Sequence, residues 1–145
     1  MASVFDVANY ILINKGPMTS MKLQKLVYYC QAWALVWDEE PMFNETIEAW
    51  TNGPVAPALF DVHRGKYMVD EQDVRGNPHN IKPKHKETID MVLEDYGDKS
   101  SQWLIELTHN EYPWKQARSS VQPGQRGNAE ILPSTMADYY GSLVK

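Results

Sequence analysis

The sequence predicts a mostly α-helical fold: a single compact helical domain around a central buried helix, with a small β-hairpin or short strand element near residues 46–56. Three observations carry that prediction. Residues 22–37, read KLQKLVYYCQAWALVW, place Leu23, Leu26, Val27, Cys30, Ala34 and Trp37 on one helical face at about 100° per residue. A neighbouring stripe holds Lys22, Lys25, Tyr29, Trp33 and Val36, and the third side still carries Tyr28 and Leu35 beside Gln24 and Gln31. A helix apolar nearly all round is buried by neighbours on several sides. Finally, helical spacing recurs in several further segments, whereas Thr46–Thr51 alternates in the manner of a strand.

The elements follow in order. Ser3 with Asp6 three residues on forms a capping arrangement before Val4, Phe5, Ala8, Ile11 and Leu12. Gly16 and Pro17 close that helix near Asn14, and Thr19 or Ser20 caps the central one. The central helix runs to Asp38-Glu39-Glu40-Pro41, three acids that oppose its dipole. The strand through Trp50 leads into Asn52-Gly53-Pro54-Val55, a turn signal, and Pro57 opens a short helix ending near Gly65. Residues 66–83 read as a loop holding a short strand around Tyr67–Val69. Ile89, Val92, Leu93 and Tyr96 belong to a helix stopped at Gly97, and Ser100 or Asp98 caps the next, with Trp103, Leu104 and Leu107. Pro113 opens a turn of helix with Trp114, residues 119–128 form a loop, and Ser134 caps a last helix bearing Met136, Tyr139, Tyr140 and Leu143.

The chain of 145 residues, 43% apolar and 23% charged, has the composition of one soluble globular domain. A net charge of −5 argues against nonspecific binding to nucleic acid or membrane. The single cysteine, Cys30, excludes an intrachain disulfide and suits a reducing compartment. No apolar run approaches the ~18 residues of a membrane span, and the N-terminus lacks a secretory pattern. The expected location is the cytoplasm.

Catalytic machinery is missing from the sequence. It contains no phosphate-cradling glycine loop, no dinucleotide fingerprint and no metal-ligand spacing among His63, His79, His85 and His109. Cys30 lies mid-helix on the most apolar face, where burial raises a thiol's pKa, and reads as core rather than nucleophile. His109 reads as a helix-end residue capping carbonyls or bonding Glu111. The opening helix–turn–helix pattern offers a second reading as a DNA-binding regulator, but its second helix bears aromatics and aliphatics with only Lys22 and Lys25 as cations. No enzyme, cofactor or metal is expected.

Two features exceed what a plain core requires. Lys22, Lys25 and Tyr29 form a basic and aromatic stripe of the kind found at protein-binding surfaces. Trp50, Asn52, Gly53 and Pro54 form a stiff turn suited to presentation to a partner.

The run Lys22-Leu23-Gln24-Lys25-Leu26-Val27-Tyr28-Tyr29-Cys30-Gln31 resembles the KLQKLLYYAQ signature of the Panacea, or SocA-like, antitoxin family. Ile47-Glu48-Ala49-Trp50 with Gly53-Pro54-Val55 is similar to its second motif, and Leu107-Thr108-His109, Glu111, Pro113-Trp114 and Ala117 to its third. Asn52 departs from the aromatic often found before Gly-Pro-Val, and Cys30 from a small alanine. The resemblance implies a non-enzymatic antitoxin that binds a cognate protein toxin, with delivery of the toxin to an ATP-dependent protease as a variant. It also places His109 and Trp114 with Lys22, Lys25, Tyr29, Trp50, Asn52, Gly53 and Pro54 as candidate partner-binding residues.

Overall fold

The structure is a computed structural model that describes residues 1–144. Helix α1 spans Val4–Lys15. Ser3 Oγ accepts from Asp6 N at 3.3 Å and Asp6 Oδ2 accepts from Ser3 N at 2.9 Å, a capping box with aspartate in the usual place of glutamate. The chain then forms β1 (Met18–Thr19) and α2 (Ser20–Trp37), the latter capped by Thr19 Oγ1, which accepts from Lys22 N at 3.1 Å. Strands β2 (Glu48–Trp50) and β3 (Gly53–Val55) follow, then α3 (Pro57–His63) and β4 (Met68–Val69). After a 3-10 turn at Pro78–Asn80 come α4 (Pro83–Tyr96), α5 (Ser101–His109), α6 (Tyr112–Ala117) and α7 (Pro133–Ser142).

The strands make two antiparallel pairs. β2 and β3 form the expected hairpin, with Trp50 opposite Gly53 and Ala49 opposite Pro54. β1 pairs with β4 in the register Met18 to Val69, so the short strand expected around Tyr67–Val69 forms and finds its partner in a segment with no strand signal of its own. A third segment flanks the hairpin: Ala49 N donates to Ala129 O and Ile131 N to Ile47 O, both at 2.8 Å.

Helix α2 is the centre of the molecule, packed against α4, α7, α5, β3 and α1. Leu23, Leu26, Val27, Cys30 and Ala34 are wholly buried. The second stripe is buried too: Lys25 and Tyr29 have no exposure, and Trp33 retains 9%. The expected surface stripe is therefore core except for the half-buried Lys22, because the hairpin and α5 cover Lys25 while α4 and α7 cover Tyr29 and Trp33. Trp37 departs in the opposite sense. It is 42% exposed, since the last turn of α2 runs past the core, and stacks on Trp33 at 4.8 Å.

Two of the three acids after α2, Asp38 and Glu40, acquire partners rather than simply opposing the dipole. Thr88 Oγ1 donates to Asp38 Oδ2 at 2.7 Å, while Glu40 meets Lys82 Nζ at 2.9 Å and Lys84 Nζ at 3.1 Å. Hydrogen bonds from Lys82 and Lys84 hold the Glu40 carboxyl down at about 2. The expected Ser134 cap is replaced: α7 opens with Pro133 in its first turn and Leu132 at the cap position, so Ser134 is already helical.

Candidate partner-binding site

Lys25, Gly53 and Thr108 come from α2, the hairpin and α5, and they meet in the interior. Thr51 and Asn52 make the two-residue turn, and Gly53 follows with φ 117°, a conformation that excludes most side chains. A Cβ at Gly53 would sit 2.6 Å from Lys25 Cε and 3.1 Å from Thr108 Oγ1. Glycine thus admits the lysine beneath the hairpin. Lys25 Nζ is buried without a hydrogen-bond partner, and burial pushes its pKa down to about 7.

The hairpin is fastened from the other side by α5 and α6. Trp114 Nε1 donates to Trp50 O at 2.8 Å, and Arg118 Nη1 donates to Ala49 O at 2.9 Å. A second Arg118 nitrogen donates to Gln125 O, and the guanidinium lies 5.2 Å from the Trp114 ring centre. His109 stacks on Trp114 at 4.0 Å with 14° between the planes. Burial, and then the Lys25 charge, lower the His109 pKa, and its Nε2 is buried without a hydrogen-bond partner. His109 therefore packs against Trp114, the residue that clasps the hairpin, instead of bonding Glu111.

Glu111 has a different role. Its buried Oε1 accepts from Tyr29 Oη and Tyr140 Oη, each at 2.7 Å. Tyr140 donates its proton there, so the 2.9 Å contact between Tyr28 and Tyr140 is donated by Tyr28. Tyr29 stacks on Tyr96 at 4.3 Å, and Trp33 Nε1 donates to Tyr96 Oη at 3.1 Å. Desolvation raises the Glu111 pKa, and the two phenols oppose that rise. This network joins α2, α4, the start of α6 and α7.

On the solvent side of the hairpin turn lies an open cleft of about 780 Å³. Met21, Trp50, Val55 and Phe60 provide apolar wall, with Trp50 and Phe60 edge to face at 4.9 Å. Thr51, Asn52, Asn128, Arg64 and Arg126 also line it. Gln24 and His63 complete the lining. Gln24 Oε1 accepts from Ala56 N at 2.9 Å, and its amide donates to Ala56 O at 3.3 Å and to His63 Nε2 at 2.9 Å. That pattern fixes His63 as the neutral tautomer with its proton on Nδ1. Burial lowers its pKa accordingly.

Three regions of the sequence thus converge on one hairpin, and residues 23–115 match the family model described as "Antitoxin SocA-like, Panacea domain". The chain belongs to this antitoxin family. It is also 31% identical over 124 residues to "Antitoxin SocA" of Caulobacter vibrioides (strain NA1000 / CB15N), an alignment covering 74% of this chain and 66% of that protein. No solved structure matches it.

In this Panacea domain, the nine sequence-predicted site residues divide by exposure. Asn52 is exposed, and Lys22, Trp50, His109 and Trp114 are half-buried. Lys25, Tyr29, Gly53 and Pro54 are buried, so a partner cannot touch them in this conformation; Lys25, Gly53 and Pro54 shape the hairpin, and Tyr29 belongs to the Glu111 network. Sequence reading missed Phe60, Arg64, Arg126 and the locked Gln24–His63 pair, all brought to the cleft by distant packing. Among the described residues no group of histidine, cysteine, aspartate or glutamate is arranged to hold a metal, and no helix is long and apolar enough to cross a membrane. Cys30 is wholly buried and its thiol pKa is pushed up, which leaves it in the unreactive thiol form.

Proposed function

We propose that this protein neutralises a cognate protein toxin by direct binding, through the face that displays the Trp50–Gly53 turn. The observation that carries this reading is the convergence of all three family motifs on that turn, with an open cleft beside it. A turn stiffened by Pro54, Trp114 and Arg118 loses little conformational freedom on binding. The burial of α2 supports a protein partner over DNA reading: the helix that would enter a major groove has Leu23 through Ala34 inside the core.

Co-expression with the toxin encoded beside this chain is the test. Growth rescue together with a complex that survives gel filtration is expected; no rescue and no complex would overturn the proposal. Delivery to an ATP-dependent protease is a second step open to the same complex. It predicts that toxin half-life shortens only when the protease and this protein are both present, and an unchanged half-life removes that step alone.

A further inference from the structure

Charge is unevenly distributed around the cleft. The chain carries 19 acidic against 14 basic residues, yet none of the residues lining this cleft is acidic, and two are the exposed Arg64 and Arg126. Arg64 pairs with Asp61 at 3.2 Å, but each side chain is 70% exposed, so water competes for both ends. Arg126 makes no ion pair among the described residues. His63 adds no positive charge, because its Nε2 is committed as an acceptor of the Gln24 amide.

Beside those cations, Trp50 and Phe60 offer an apolar wall, and Arg64 lies 5.2 Å from the Phe60 ring centre. The Asn52 and Asn128 amides at the rim supply donors and acceptors of the kind a peptide backbone satisfies. From this arrangement we infer that the cleft takes an acidic segment of the partner protein. One apolar or aromatic side chain of that segment rests against Trp50 and Phe60, and its flanking carboxylates face Arg64 and Arg126. This inference rests on the proposed toxin binding and deepens it by naming the partner's chemistry. A nucleic acid fits less well: two arginines do not track a phosphate backbone, and the acidic remainder of the surface repels a polyanion.

The test uses the full chain and its cognate toxin. Affinity is measured by calorimetry for wild type and for the double variant Arg64→Glu/Arg126→Glu, with melting temperatures as a control on folding. A loss of tenfold or more with an unchanged melting temperature is expected, together with weakening of the wild-type complex as salt rises. Equal affinity for wild type and double variant overturns the cleft inference while toxin binding stands. No affinity in wild type overturns both. If the variant melts lower, Arg126→Gln alone decides, since it removes one charge without reversing it: a weaker complex at an unchanged melting temperature is expected, and equal affinity overturns the inference. A photo-crosslinker at Asn52 then identifies the toxin segment in the cleft, and a segment without Asp or Glu overturns the inference. So does a fluorescent single-stranded 20-mer that binds wild type and is displaced by the toxin.

Discussion

Replacing Lys25 by methionine keeps most of the side-chain volume and removes an ammonium that has no partner in the interior. The folded pKa is about 7 against an ordinary value of 10.5. Between those values the unfolded chain carries a proton that the folded chain has shed, so stability rises with pH across that window. Below about pH 7 both states are protonated and the full penalty of burying the charge applies. For these two pKa values, the gain from pH 7 to pH 8.5 works out at about 1.5 kcal/mol.

The window stops at 8.5 because above it the Cys30 thiol titrates in the unfolded chain but not in the folded one, and its opposite slope offsets that of Lys25 in the wild type. The depressed histidines His63, His85 and His109 add a rise of the same sign near neutrality; that of His85 cancels in the comparison, whereas the Lys25 charge helps to lower His63 and His109, so their rise is smaller in the variant and adds to the difference. Urea unfolding of wild type and Lys25→Met at the two pH values reads the effect. Wild type is expected to gain about 1.5 kcal/mol more than the variant, and the variant to be the more stable by roughly 2–4 kcal/mol at pH 7. Parallel pH dependences, or a variant less stable than wild type, would show that the amine has a counter-charge and refute the reasoning.

Gly53→Ala places a Cβ against Lys25 Cε at a φ of 117°, so a loss of about 1–3 kcal/mol is expected in thermal unfolding, with weaker toxin binding. Glu111→Ala strands the Tyr29 and Tyr140 hydroxyls and should cost ~2–5 kcal/mol, whereas Glu111→Gln keeps an acceptor and should recover most of it; equal losses in urea melts would contradict the network. Arg118→Ala removes a charged donor from Ala49 O, for which roughly 1.5–3 kcal/mol is expected, along with faster hydrogen exchange at the Ala49 and Ile131 amides.

The central helix was legible because Leu23, Leu26, Val27, Cys30 and Ala34 repeat at helical spacing, and a buried helix leaves that trace in the order of its residues. The caps at Ser3, Thr19 and Ser100 were legible for the same local reason. Lys25 was not. A lysine beside aromatics ordinarily extends its stem over the rings and its amine into water. Its burial depends on a glycine in the hairpin, outside any window centred on α2. The strand near Tyr67–Val69 was legible, but its pairing with Met18–Thr19 was not, because two residues carry no periodicity. The cleft joins α2, α3, the turn and residues 126–128, so its sign of charge emerges only when they meet. Glu111 was visible as part of a motif, but its two phenol donors come from helices α2 and α7, which no spacing connects.

The fastening of the hairpin also sets when the protein becomes competent after synthesis. A two-stranded hairpin is marginal by itself in water. Here Trp114 reaches Trp50 O across 64 residues of chain, and Arg118 reaches Ala49 O across 69. At ~5–20 residues per second, those clasps leave the ribosome roughly 3–14 s after the strand they hold. A nascent chain halted before α6 has its first motif and its turn in sequence but no rigid turn to offer. Under the proposed toxin binding, interrupted translation would therefore yield fragments that lack the rigid turn and do not bind.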